Sequence, residues 1–153
     1  MEMTKKTLDA LSRSIGSYFT KQNLSPATLH TPHLADQGSL PAKELTGLIT
    51  LSGVPGGLFY LTATKSMLRK ILLGLGIDPD ESQQMDLVGE MSNIFAGNLS
   101  EELGVDFVIS TPFLIAGAID RLAYNVNDRP YVLPFSFQGE VALVIIAFEG
   151  KRS

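Results

Sequence analysis

The sequence predicts an α+β fold: a mostly antiparallel sheet with two long helices packed on one face and pseudo-symmetric halves. Three observations point there. Residues 4–22 carry Leu8, Leu11, Ile15, Tyr18 and Phe19 at helical spacing. Residues 79–103 repeat that periodicity behind a capping pattern, and the other apolar runs are mostly short, β-rich and bounded by Gly or Pro.

The elements follow in order. The first helix stops short of Pro26, and the following stretch, "LSPATLHTPHLADQGSLPAKE", holds too many prolines for a long regular element, although "TLH" can pair as a short edge strand. "ELTGLITLSG" and "GGLFYLTAT" read as a hairpin joined through Val54, Pro55 and Gly56. "KSMLRKILLGLG" is a short helix ended by its glycines. In "DPDES", Asp78 is the expected N-cap, with Pro79 at the first helical position and Glu81 closing a capping box. A long helix should then run from about 79 to 103, with Gly104 stopping it in a left-handed turn. The remainder, "VDFVIST", "FLIAGAI", "LAYNV", "YVLPFSFQ" and "EVALVIIAFE", is strand-rich, and Gly139 marks a tight turn between the last two.

Superposing the two long helices on Asp9 and Asp86 exposes a weak repeat. Each helix is followed by a Thr-Pro-x-Leu segment, from Thr31 and from Thr111, and then by two strands. The halves are 1–64 and 82–149, joined by the short helix, within an expected single domain 1–153.

Composition narrows the function classes. A chain of 153 residues, 44% hydrophobic and 18% charged, has the profile of a folded globular protein. Lys and Arg number 12 against 16 Asp and Glu, for a formal charge of −4. The bases are scattered, which argues against nucleic acid or an anionic membrane as partner. Cysteine is absent, which removes disulfides and thiol chemistry. The N-terminal segment lacks the apolar core of a signal peptide, and no run is long enough to span a bilayer. The expectation is a cytoplasmic protein.

The informative stretch is "DLVGEMSNIFAGN", residues 86–98. On a helical wheel Met85, Leu87, Val88, Met91, Ile94, Phe95, Leu99 and Leu103 fill an arc of roughly 180°. Asp86, Glu90, Asn93 and Gly97 recur on the opposite side, within about 60° of one another. A polar face is ordinary on an amphipathic helix. The mid-helix glycine is not, since it costs up to about 1 kcal/mol relative to alanine, and a close approach by another backbone would compensate.

The pattern D-x-x-x-E-x-x-N at Asp86, Glu90 and Asn93, followed by "FAGN" and later by Pro112, resembles the signature of the CheC/CheX/FliY chemotaxis phosphatases. The order of helix, hairpin, short helix, motif helix and terminal strands resembles that family over nearly the whole chain. The resemblance implies hydrolysis of the aspartyl phosphate of a CheY-type response regulator. Asn93 is then the residue that orients the attacking water, Glu90 the one that pairs with a regulator lysine, and Asp86 and Gly97 partner-binding positions. No cofactor is expected on this chain, and Mg²⁺ is expected in the regulator's own active site. At the aligned positions of the first helix Asp9 is kept, but Arg13 replaces the Glu and Gly16 the Asn. One site per chain is therefore expected, as in the CheX branch, whose members form homodimers.

Other constellations are weaker. His30, His33 and Asp36 lie in a proline-containing loop with no spacing that converges them on a metal, and "GVPGG" reads as a turn rather than a phosphate cradle. Two alternatives to the phosphatase stay open: a non-catalytic module that docks a regulator or adaptor, and a small-molecule-binding domain.

Overall fold

The computed structural model describes residues 2–36, 40–53, 56–104, 108–117 and 129–148. Along the chain these form α1 (Glu2–Lys21), β1 (Thr28–Leu29), β2 (His33–Leu34), β3 (Leu45–Ser52), β4 (Gly57–Ala63), α2 (Lys65–Gly74), α3 (Glu81–Leu103), β5 (Val108–Ile109), β6 (Phe113–Ala116), β7 (Tyr131–Phe137) and β8 (Glu140–Phe148). The fold is α+β, and every strand pairing described is antiparallel. The expected strand "LAYNV" lies outside the described residues, as do residues 105–107 of "VDFVIST" and the Val54–Pro55 turn.

The sheet runs β1-β7-β8-β4-β3-β5, with β2 also on β7 and β6 also on β3. The two long hairpins therefore sit side by side. The short strands preceding each hairpin pair with the first strand of the other, β1 and β2 with β7, β5 and β6 with β3. That exchange gives the topology its pseudo-symmetry.

Alternation sorts the sheet's two faces. Ile49, Leu51, Phe59, Leu61, Leu133, Phe135, Val144 and Ile146 point toward the helices and join buried residues of α1, α2 and α3 in the main core. Leu48, Leu58, Tyr60, Val132 and Ile145 point the other way and pack with Ala35 and the half-buried Leu40. Both long helices lie on the same face, as the periodicity predicts. On the opposite face the Tyr60 hydroxyl donates to the Pro41 carbonyl at 2.8 Å, tying down the segment between β2 and β3.

Local signals explain most element ends. Thr64 caps α2 by accepting from the Met67 N–H at 3.1 Å. Gly104 ends α3 at φ 64. Gln138 and Gly139, both at positive φ, form the two-residue turn between β7 and β8.

The N-cap of α3 differs from expectation. It is Asp80, not Asp78; its carboxylate accepts from the Gln83 N–H at 2.8 Å, and the helix begins at Glu81. "DPDESQ" contains two overlapping boxes, Asp78 with Glu81 and Asp80 with Gln83, and spacing does not choose between them. The Gln84 side chain donates to the Pro79 carbonyl at 2.9 Å, so that carbonyl stands outside the helical ladder.

Candidate functional site

The site helix is α3, and its roll about its own axis is fixed by contacts on three sides. Phe95 packs edge-to-face on Tyr18 of α1, with centroids 6.0 Å apart, and on Phe135 of β7 at 6.5 Å. Toward the sheet, the Ser92 hydroxyl lies 2.7 Å from the Val88 carbonyl and 3.0 Å from the Gly47 carbonyl of β3. Gly47 makes this approach feasible, because a Cβ there would stand 2.4 Å from Ser92 Oγ and 2.8 Å from Val88 O. Near its C-terminus α3 is clipped to α1 twice, by an Arg13–Glu102 ion pair and by Asn98 Nδ2 donating to Ser14 Oγ at 2.9 Å.

The buried arc is wider than the apolar residues predict. Gly89, Ser92 and Ala96 are buried as well, while Met85, Ile94 and Leu103 are only half-buried. Small residues line the side of α3 that lies against β3 and β6, where backbone approaches backbone. A Cβ at Gly89 would meet Leu114 Cδ2 at 2.8 Å and Pro112 Cβ at 3.8 Å. Pro112 thus sits beside the helical turn that carries Glu90 and Asn93.

Asp86, Glu90 and Asn93 remain in solvent. None of the three is in an ion pair or side-chain hydrogen bond among the described residues, which leaves two carboxylates and an amide presented on one face of a firmly seated helix. Gly97 is half-buried, one turn beyond Asn93, and a Cβ built on it meets nothing within 4 Å. Among the described residues no packing demands a glycine there. In α1, Arg13 is engaged with Glu102 and Gly16 faces open space.

A groove of about 260 Å³ opens beside Asp86 and Glu90, between α3, the end of α1 and the end of α2. Tyr18 forms part of its wall. Burial, together with the negative charge of Glu90, pushes the Tyr18 hydroxyl up to about 12. Tyr18 was legible in the sequence only as an apolar residue of the first helix. Its place beside Glu90, 72 positions along, is a product of tertiary packing. Of the two histidines considered as ligands, His30 contacts Ser136 of β7 and His33 begins β2. Among the described residues no helix is long and apolar enough to cross a membrane.

A family model described as chemotaxis phosphatase CheX matches residues 45–136, more than half of the chain. No curated protein sequence matches. Among solved structures, a CheC-like superfamily protein from Shewanella sp. PV-4 superposes with a TM-score of 0.81 at 24% identity, covering 95% of this chain and 98% of that one. Chemotaxis protein CheX from Vibrio vulnificus gives 0.77 at 22% identity, covering 97% and 100%. The CheX–CheY–BeF3–Mg²⁺ complex from Borrelia burgdorferi gives 0.72 at 21% identity, covering 96% and 97%.

Proposed function

Since the chain belongs to the CheX family of chemotaxis phosphatases, we propose that it hydrolyses the aspartyl phosphate of a CheY-type response regulator, using Asn93 and Glu90. The observation that carries this reading is the exposure of Asp86, Glu90 and Asn93 along one face of a helix whose roll the core determines. A relative in complex with CheY, BeF3 and Mg²⁺ supports the choice of partner.

The chemistry suits these side chains. Phosphoryl transfer asks chiefly for positioning and charge stabilisation. An amide offers both a donor and an acceptor, so Asn93 can hold a water in line with the phosphorus, where a carboxylate would repel the phosphoryl oxygens. Glu90, three residues earlier on the same side, pairs with a lysine of the regulator and sets the depth at which Asn93 enters. The Mg²⁺ belongs to the regulator, where it neutralises the phosphoryl group. Asp86 and Gly97 extend the contact on either side. The same reading places the protein in the cytoplasm with its regulator, as a homodimer with one site per chain.

The test is phosphate release from a phosphorylated CheY-type regulator. Asn93→Ala should lower the maximal rate by about 100-fold or more with little change in regulator binding. Glu90→Ala should weaken binding as well as rate. Unchanged dephosphorylation by Asn93→Ala sinks the mechanism, and tight binding without acceleration by the wild-type chain makes the protein a docking module.

A further inference from the structure

The groove beside the motif has a chemistry of its own. Its floor is apolar, from Leu72, Leu75 and Ile77 at the end of α2, and Ile77 is 40% exposed. Its rim on the α3 side carries Gln83, Asp86 and Glu90. Among the described residues no lysine, arginine or histidine lines it.

Among the described residues no ion pair reaches this rim. The ion pairs among the described residues join Arg13 to Glu102, Lys65 to Glu81 and Lys70 to Glu140. Asp86 and Glu90 are both exposed and stand one helical turn apart, so Asp86 can hold a guest of its own while Glu90 faces the reaction centre. An apolar floor below an anionic rim matches one kind of side chain, a long alkyl stem with a cationic head. A purely apolar guest would leave the carboxylates facing it, and a free cation would leave the floor wet.

We propose that this groove receives one lysine or arginine from the regulator's surface, its stem along Leu72, Leu75 and Ile77 and its head at Asp86. This rests on the reading of the protein as a regulator phosphatase. The residue is a second cation, separate from the lysine that meets Glu90 at the reaction centre. The groove continues the docking face toward the start of α3, so it contributes affinity and partner choice without touching the phosphoryl group. Asp86 thereby gains a defined role, as the anchor for regulators that carry a cation at the matching distance from their active site.

Gln83→Lys places a positive charge on the rim at an exposed position that makes no side-chain contribution to the core. Titration calorimetry with the BeF3-activated regulator should show the Kd raised about tenfold or more, with the maximal rate at saturating phosphorylated regulator unchanged. Neutralising the regulator's surface lysines and arginines one at a time, each to Gln, should uncover a single position at which the Gln83→Lys penalty disappears. A Kd equal to that of the wild type, or a penalty that persists against every regulator variant, overturns the proposal. Binding that follows this pattern while wild-type protein leaves phosphate release unaccelerated would uphold the groove and overturn the catalytic reading instead.

Discussion

At residue scale Gly97 sets stability against function. It lies inside α3, where glycine costs up to about 1 kcal/mol relative to alanine, and a Cβ there meets nothing within 4 Å. Gly97→Ala should therefore stabilise the chain by roughly 0.5–1 kcal/mol, raising Tm by a few degrees. If the glycine clears space for the regulator, the same variant should bind the regulator severalfold more weakly, a combination that a purely internal role does not give. Thermal unfolding and calorimetric binding on one preparation check both halves. That Asp86, Glu90 and Asn93 stand exposed on one face of α3 was legible because three- and four-residue spacing on a helix is local geometry. The roles of Gly89 and Gly47 were not, since what a missing Cβ makes room for is known only when the facing backbone is in place.

The element that matters most is α3, and its seat on β3 is the close contact at Gly47. A methyl group there would meet Ser92 Oγ and the Val88 carbonyl, and the latter is backbone that moves only if the helix moves. Gly47→Ala should cost about 1–3 kcal/mol, measured by urea unfolding. If Asn93 acts as proposed, the variant should also depress phosphate release per folded molecule, because lifting α3 displaces Asn93. Full activity from the folded Gly47→Ala variant would mean that the position of the helix is not critical. The long elements were readable for plain reasons: α1 and α3 bury one face and imprint a period of 3.6, while the hairpin strands, buried largely on both faces, stand out as β-rich apolar runs bounded by turn residues. The start of α3 was misplaced by two residues because "DPDESQ" holds two equivalent boxes. Strands β1, β2, β5 and β6 are two to four residues long and exist through pairing with the other half's hairpin, so β2 within "TPHL" had no pattern of its own to show.

For the whole molecule, what escaped sequence reasoning is what three distant segments make together: the groove where Tyr18 of α1, the end of α2 and the first turns of α3 converge. Its effect on stability has a definite sign. Burial, reinforced by the charge of Glu90, holds the Tyr18 proton to about 12, whereas an unfolded tyrosine releases it near its ordinary value of 10. Tyr60, with its hydroxyl bonded to the Pro41 carbonyl, is raised by burial in the same direction. The folded chain therefore binds these protons more tightly than the unfolded one. The Tyr18 contribution is fully present below about pH 10 and is lost as pH rises through 12, because the unfolded state is increasingly favoured by ionisation, and Tyr60 acts in the same sense. Urea unfolding between pH 8 and 12 should show wild-type stability falling more steeply above pH 10 than that of Tyr18→Phe, by roughly 1–3 kcal/mol across the window. Comparison with the variant removes the background from lysines that titrate in the same range. Glu90→Gln should soften the slope by a smaller amount, since its charge is the lesser of the two causes at Tyr18. Parallel profiles for wild type and Tyr18→Phe would show that the hydroxyl is not held in the groove as described, and would separate Tyr18 from the acidic rim that the regulator's cation is proposed to meet.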